Sequence, residues 1–427
     1  MRKLLLTLTA AFSLIAAAPS TAPADSIDAI ARDYVVLVLN VKDFAPDLVG
    51  ASDPPPALVA DAKAARGDRA AVNAGLAKII DRIDRLPASS DPLIAMRVRS
   101  LRAHAVSLQF QLRSPESPRP SVAEQVRLTS GFEPEFPPLT QYDPAIAQLD
   151  SAMPGQGELS ERIEALKAAA IVPKNQVEPV VRTAIAECRK RAAMHLKMPK
   201  ESIEVRFVDD PLIPGQSEYL GNGRGVITVS TAVPADVDRL LSLACHEAYP
   251  GHHTNYATLD EQLFRHRGWP EFSVELAETP QFPVSDAISE YGIGLTFPVE
   301  DRIAFERDVL YPLAGLSMQN EPAWRALIQA RSSVLGATST IVRDYLEHRI
   351  DVETAKKLFI RYRLQNRRSA EQMIKMLDAF GPFVIASDAG WYTVDRVMQG
   401  KSVDERWRLL QRMESEPMLL EDVAALR

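Results

Sequence analysis

A proline interrupts a predicted amphipathic helix in the middle of a cluster of histidines. The segment from His246 to His253 reads His-Glu-Ala-Tyr-Pro-Gly-His-His and holds three of the seven histidines of the chain. The residues before it carry apolar side chains at helical spacing, which places the segment on the last turns of a helix. Pro250 cannot donate a hydrogen bond to the carbonyl of His246, so the helix has to open there.

The break decides which histidine can lie beside His246. On an unbroken helix His252 would point about 120° away from His246, and His253 would lie about 10 Å further along the axis. An opening of two extra residues brings His252 next to His246, whereas an opening of three brings His253 there. Gly251 accepts the backbone angles that either opening needs. We expect the smaller distortion, and therefore the pairing of His246 with His252.

The histidines and the glutamate beside them are typical of a zinc hydrolase. In zinc proteases of the H-E-x-x-H type, two histidines bind the metal and the glutamate acts as the general base. The same roles predict His246 and His252 as ligands of Zn²⁺ and Glu247 as the residue that takes the proton from water. The alternative is a loop of solvated histidines after a core helix, which three histidines and a carboxylate in eight residues disfavour.

A catalytic zinc site needs a third protein ligand, commonly a glutamate from a following helix. The candidates up to residue 290 are Glu261, Glu271, Glu275, Glu278 and Glu290. We favour Glu290, because Pro283 and Ser285 mark a helix start and its neighbours are small or aromatic. Asp286, one turn earlier, or Asn255 could orient a ligand by a hydrogen bond.

The segment resembles the signature of a large bacterial family, domain of unknown function 885, which is written H-E-x-x-P-G-H-H. Later in the chain that family carries a glutamate flanked by glycine and an aromatic residue, and Glu290-Tyr291-Gly292 is similar to this element. The resemblance runs from about Tyr219 to the C-terminus and includes Arg331 and the pair Arg406-Trp407. It implies a mostly helical, exported protein of the zinc metallopeptidase type, with Glu290 as a ligand.

Several further residues are candidates for the same site. We expect His253 to turn away from the metal and to contact a ligand or the substrate, and Tyr291 and Arg331 to have similar outer roles. The donor that would stabilise the oxyanion stays open among Tyr249, Tyr291, Arg331 and Tyr392.

The N-terminus predicts a secretory signal peptide over residues 1–24. Arg2 and Lys3 precede an apolar run at residues 4–18, and Ala22-Pro23-Ala24 offers small residues for cleavage. The run is too short for a membrane span, and no other stretch reaches about 18 apolar residues. We therefore expect an exported protein, periplasmic or secreted, without a stable membrane span after cleavage.

Charge and cysteine content narrow the function classes. The net charge is −7, and an acidic protein lacks the electrostatic surface that nucleic acid requires, so we expect no nucleic-acid partner. The two cysteines are Cys188 and Cys245. An exported protein could join them in a disulfide. Both lie in helical patterns, however, and Cys245 adjoins His246, so buried free thiols are favoured over a bridge.

Helical periodicity dominates the chain and predicts a mostly α fold. The predicted helices cover residues 27–41, 56–66, 70–86, 92–112, 160–170, 173–196, 322–346, 352–364 and 370–380. Residues 114–138 are rich in proline and read as a loop between an N-terminal helical region, 25–138, and the region with the metal site, 139–427.

Two segments before the predicted zinc helix alternate apolar and polar residues instead. Residues 203–208 and 225–231 therefore predict two strands of a small hairpin or sheet. An exposed edge of this sheet could pair with an extended peptide. The equally favoured alternative is that the strands serve only to cover the helices and bind no peptide.

These features predict a zinc-dependent hydrolase that cleaves a peptide or a small amide substrate through a metal-activated water. Two alternatives stay open. One is a non-catalytic periplasmic binding or scaffold protein that kept the fold, and the other is a zinc hydrolase acting on a non-peptide ester or amide. A Glu247→Gln variant separates an enzyme from a binding protein.

Overall fold

The protein is described by a computed structural model, which covers residues 26–50, 53–114, 117–210, 215–276 and 278–426. Helices make up most of it, and a small sheet lies directly before the histidine-bearing helix in the chain. The predicted fold class is therefore confirmed. The predicted signal peptide at residues 1–24 lies outside the described residues.

Four helices and one core form the N-terminal part. They are α1 (Ile27–Val41), α2 (Pro56–Ala65), α3 (Arg69–Asp84) and α4 (Pro92–Gln111). Side chains of Ser26, Asp68 and Asp91 accept hydrogen bonds from main-chain N–H groups at the starts of α1, α3 and α4, and each such cap contributes about 1 kcal/mol. Leu276, from much later in the chain, is buried in this same core.

The proline-rich stretch at residues 114–138 contains a helix, so its prediction as a loop is wrong. Helix α5 (Val122–Ser130) begins where the Ser121 side chain accepts a hydrogen bond from the Glu124 N–H. It ends at Gly131, which has a positive φ of 74°. The prolines flank this helix, and none lies within it. Helix α5 packs into the second core.

The second and larger core is built by the rest of the chain. Its helices are α6 (Asp143–Ala152), α7 (Leu159–Ala168), α8 (Val177–Ala192), α9 (Val237–Glu247), α10 (His252–Leu259), α11 (Phe282–Thr296), α12 (Val299–Phe305), α13 (Tyr311–Leu313), α14 (Glu321–Ser333), α15 (Ala337–Leu346), α16 (Val352–Tyr362), α17 (Arg367–Phe380), α18 (Val384–Met398), α19 (Val403–Ser415) and α20 (Leu420–Ala424). The single helix predicted at residues 322–346 is wrong, because α14 and α15 are separate. Between them Gly336 lies against the hydroxyl of Tyr142, a contact from distant sequence.

A three-stranded sheet precedes α9. Its strands β1 (Ser202–Val208), β2 (Gly215–Tyr219) and β3 (Arg224–Ser230) lie in the order β1-β3-β2, with β1 parallel and β2 antiparallel to β3. The two predicted strands are confirmed. The sequence did not predict β2, whose residues are mostly polar. It pairs with β3 through a turn in which Gly221, Asn222 and Gly223 all have positive φ.

Within the described part of the chain, none of the helices combines the length and the apolar character that crossing a membrane requires.

Candidate metal centre

The helix break occurs where the sequence places it. Helix α9 ends at Glu247 and α10 begins at His252, so the four residues between them form a turn. Asp236 caps the start of α9 by accepting a hydrogen bond of 2.8 Å from the Arg239 N–H. The Thr254 hydroxyl donates to the carbonyl of Ala248 at 2.8 Å and closes the turn. Residues 248–251 therefore separate α9 from α10 as a hydrogen-bonded turn.

This turn brings His246 and His252 together with a carboxylate from α11. Asp286 Oδ1 lies 3.5 Å from His246 Nε2 and 3.6 Å from His252 Nε2, and the three ligand atoms lie within 4.8 Å of one another. Two imidazole nitrogens and one carboxylate oxygen form a donor set that suits Zn²⁺ and leaves room for a fourth ligand.

Both histidines use their second ring nitrogen for a hydrogen bond. His252 Nδ1 lies 3.0 Å from the hydroxyl of Ser285, and His246 Nδ1 lies 3.4 Å from Glu290 Oε2. Such contacts fix the orientation of a ligating histidine and leave the other nitrogen for the metal. Glu290, expected as the third ligand, therefore faces Nδ1 of His246, whereas Asp286 faces Nε2 of both histidines. Which carboxylate would bind a metal stays a prediction.

The electrostatics of the cluster follow from this arrangement. Burial lowers the pKa of His246, but hydrogen bonds to Asp286 and Glu290 outweigh burial and raise the pKa to about 10. Burial raises the pKa of Asp286 and of Glu290, yet the hydrogen bonds from the histidines lower both below their usual values. Both carboxyl groups are therefore ionised at neutral pH and hold His246 in its protonated form, so a cation that binds to its Nε2 has to displace a proton.

Glu247 is the last residue of α9 and is buried. Its negative charge contributes to the raised pKa of His246 and of Tyr256, which places its carboxylate near both side chains. The carboxylate therefore lies beside the cluster, and its role as a general base stays a prediction.

Tyr256 is a site residue that the sequence analysis missed. It follows His252 by one turn of α10, and the two rings are stacked with centroids 6.0 Å apart. Burial raises the pKa of its hydroxyl, as do the charges of Glu275, Glu247 and Asp286, and a hydrogen bond to Ser285 opposes this. The sequence could have indicated Tyr256, because it follows His252 by four residues and residues i and i+4 share one face of a helix.

His253 lies on the other side of the turn, away from the cluster. It is fully buried, and its Nε2 lies 3.3 Å from Glu201 Oε2. The Tyr249 hydroxyl donates to the same carboxylate at 2.8 Å, and Arg189 donates to its other oxygen at 3.1 Å. Burial raises the pKa of Glu201, but hydrogen bonds from His253, Tyr249 and Arg189 lower it overall. Glu201 thus anchors both ends of the turn, a role that nothing in its local sequence indicates.

The other expected site residues lie further out. Arg331 donates to the carboxylate of Asp238 on α9. Tyr291 packs edge-on against Trp391, with ring centroids 5.5 Å apart. Tyr392 lines a separate cavity.

Asn255 is buried and donates to the carbonyl of Glu414 at 3.5 Å. Its side chain is therefore directed to α19 and not to the histidines, so the expectation that it orients a ligand is not met.

Cys188 and Cys245 form a disulfide, so the preference for free thiols is wrong. Helices α8 and α9 pack side by side and bring the two Cα atoms to 5.5 Å, a distance that suits the bond. Helical pattern alone cannot indicate which helices become neighbours. The bond ties α9 to α8 one residue before His246.

A cavity of about 1000 Å³ lies next to the cluster. Leu243, one turn before His246, and Glu290 both line it. The lining includes Glu290 but none of His246, Glu247, His252 and Asp286, so among these site residues the cavity contacts only Glu290.

Comparisons with known proteins inform the fold only. No family model matches the chain, and no curated protein matches it in sequence. Among solved structures, the chain is similar to "the putative lipoprotein from Colwellia psychrerythraea", with a TM-score of 0.50 and 14% sequence identity. The likeness covers 91% of this chain and 68% of that one. At this identity it shows a shared fold and nothing about activity.

Proposed function

We propose that the protein is a zinc-dependent hydrolase that cleaves amide bonds, most simply those of peptides. The observation that carries the proposal is the convergence of His246 Nε2, His252 Nε2 and Asp286 Oδ1. These three atoms would hold the ion. We assign Glu290 to the orientation of His246, because its carboxylate faces Nδ1. The residues fit the metal, since nitrogen and oxygen donors converge while each second ring nitrogen is held elsewhere.

Zinc bound there would lower the pKa of a water molecule to about 7 and polarise the substrate carbonyl. Glu247 accepts the proton of the attacking water and passes it to the leaving amine. The Tyr256 hydroxyl, held by Ser285 near the cluster, donates a hydrogen bond to the negative charge that develops on the carbonyl oxygen. Ser285 and Glu290 keep the two imidazole rings in place while this occurs.

Two features of the chain support membership of the domain of unknown function 885 family as a proposal. The motif from His246 to His253 has the structural form that its proline and glycine imply. Glu290 and Gly292 of the second motif both lie against the first: Glu290 contacts His246, and a β-carbon at residue 292 would lie 2.5 Å from Pro250 Cγ.

Export is part of the same proposal. The disulfide is typical of proteins in oxidising compartments, and the sequence of residues 1–24 reads as a signal peptide. The structural neighbour is described as a lipoprotein, which is a class of exported protein. Intact-mass measurement of protein from the cell envelope is expected to give a chain that begins at or near Asp25. A full-length chain in the cytosol would contradict export.

The test of the activity is a Glu247→Gln variant incubated with a mixed peptide library. Wild-type protein should release products, and the variant should lose turnover by about 10²–10⁴-fold while it retains zinc, as expected for loss of a general base. The cleavage products also identify the preferred substrate. A wild-type protein that binds zinc but cleaves neither peptides nor ester and amide substrates is a binding or scaffold protein, and the proposal fails.

A further inference from the structure

The cavity beside Glu290 is lined by several basic side chains. Its lining includes six basic side chains, Lys167, Arg239, Arg302, Arg331, Arg363 and Arg406. Four acidic residues also line it, namely Glu164, Asp236, Glu290 and Asp395. The whole chain has fewer basic than acidic residues, 49 against 56. The lining is therefore richer in basic groups than the protein as a whole, and what it can bind depends on which of these groups lack a carboxylate partner.

Three of these basic groups are neutralised by buried carboxylates outside the lining. Arg302 binds Asp238 and Glu306, and Arg331 binds Asp238; the side chains of Asp238 and Glu306 are fully buried. Arg363 lies 3.7 Å from Asp388, which is also buried. These pairs hold the wall of the cavity together and leave little charge for a ligand.

The other three basic groups are Lys167, Arg239 and Arg406. None of them forms an ion pair with a carboxylate within the described residues. Arg239 projects from α9, close enough to Glu290 to contribute to its lowered pKa. Arg406 donates one hydrogen bond of 3.0 Å to the carbonyl of Lys401 and another to Tyr291, the neighbour of Glu290. Both guanidinium groups therefore lie at the end of the cavity that is nearest the cluster, and each has donors to spare.

We propose that Arg239 and Arg406 bind the free carboxylate at the C-terminus of the substrate. A guanidinium group can donate two parallel hydrogen bonds to a carboxylate, which no other side chain does as well. This inference rests on the proposed hydrolase function and specifies its substrate class: short peptides or N-acyl amino acids that end in a free carboxylate. Water is added across an amide bond near that end. The acyl part leaves as a carboxylic acid, and the C-terminal part leaves as an amine that gains the proton.

The first experiment measures binding without turnover. Zinc-loaded Glu247→Gln protein is mixed with two matched pools of acetylated tripeptides, one of free acids and one of C-terminal amides, and the retained peptides are quantified by mass spectrometry after ultrafiltration. We expect the acids to bind about tenfold or more tightly than the amides, the effect of one charge-assisted hydrogen bond. Equal retention of the two pools, or retention of neither, overturns the inference.

Substitutions then locate the preference. When Arg239→Gln or Arg406→Gln is added to the Glu247→Gln protein, either substitution should reduce the ratio of acid to amide binding by about tenfold. Arg408→Gln is the matched control, because Arg408 lies on the same helix as Arg406, is exposed and does not line the cavity. Circular dichroism checks that each variant folds. An unchanged ratio in both cavity variants, or an equal loss in Arg408→Gln, contradicts the assignment.

Two further measurements separate this inference from the proposed function. Carboxylates can bind zinc directly, so the pools are also tested on chelator-treated protein, where the preference for acids must persist. Turnover is then measured on wild-type protein. Equal cleavage of acids and amides supports the hydrolase and overturns the carboxylate site. A retained preference for acids without any turnover supports the carboxylate site and overturns the hydrolase.

Discussion

Gly251 lies directly against the main-chain carbonyl of His246, so closely that a β-carbon at residue 251 would overlap that oxygen. The glycine is required here by close approach, since its φ of −86° suits other residues. This contact folds the chain back over the end of α9. Helix α10 begins at the next residue, His252, whose ring centroid lies 4.8 Å from that of His246.

Replacing this glycine should therefore damage the metal site. In Gly251→Ala the added carbon meets main-chain atoms that cannot move aside, which costs about 1–3 kcal/mol or shifts His252. We expect most bound zinc to be lost, as measured by elemental analysis of purified protein. Gly294→Ala is the control, because a β-carbon at residue 294 of α11 meets no atom within 4 Å. Equal zinc in both variants would show that the contact is unimportant.

The two adjacent histidines should behave differently. His252→Ala removes a proposed ligand, so the variant should lose most of its zinc. His253→Ala removes the contact with Glu201 behind the turn, so zinc should be retained, with affinity reduced by at most about 10–100-fold. Zinc content and thermal unfolding of the two purified variants are compared side by side. The reverse pattern of zinc loss would move the ligand role to His253.

The two carboxylates of α11 can be distinguished in the same way. Asp286→Ala should abolish stoichiometric zinc binding, because two histidines alone hold the ion poorly. Glu290→Gln keeps a hydrogen-bonding group beside His246 Nδ1, so we expect zinc to remain, with affinity lower by about 10–100-fold. Competition with a chelator of known affinity measures the zinc affinity of both variants. Should Glu290→Gln lose zinc while Asp286→Ala retains it, Glu290 is the third ligand, as the sequence suggested.

The disulfide predicts a clear thiol count. Protein unfolded without reductant should show no free thiol, and reduction should give two free thiols per chain, since the chain has two cysteines. The bond closes a loop with a sequence separation of 57, so the double variant Cys188→Ala/Cys245→Ala should lose about 4 kcal/mol of stability in the chain-entropy estimate. Thermal unfolding measures this loss. Two reactive thiols before reduction would exclude the bond.

Glu414 gives a prediction about pH. It is fully buried on α19, and burial raises its pKa well above the usual value, although Asn255 opposes this. The unfolded chain loses this proton near pH 4.3, whereas the folded protein retains it to higher pH. The contribution of Glu414 to stability is therefore largest below about pH 4.3 and falls as the pH rises through the folded pKa.

A Glu414→Gln variant should consequently gain stability relative to wild type as the pH is raised from 4.5 to 8. We expect a melting temperature about 1–3 °C higher than wild type at pH 8 and a smaller difference at pH 4.5. Glu421→Gln on the exposed face of α20 is the control and should show neither effect. A difference that does not change with pH would contradict the buried, protonated state of Glu414.

Much of the fold follows from local pattern. Apolar residues at helical spacing identify α1, α3, α4 and α16 to within a few residues, since an amphipathic helix has to turn one face to the core. The errors arise where distant contacts decide. Helix α5 lies between prolines and packs into the second core, and β2 is polar and pairs with β3. Helices α14 and α15 are separated at a turn where Gly336 lies against Tyr142.

The sequence by itself determined the residues that begin the candidate centre: a histidine and a glutamate at the end of a helix, and a proline and a glycine that turn the chain back. The tertiary structure decided which other groups lie beside them. Asp286 and Glu290 are one turn apart on the same face of α11, so spacing cannot tell which carboxylate reaches Nε2 of His246 and which reaches Nδ1. That depends on how α11 is rotated and packed against α9. Likewise, only the packing of α8 beside α9 brings Cys188 to Cys245, because contacts between separate helices are not encoded in the periodicity of either.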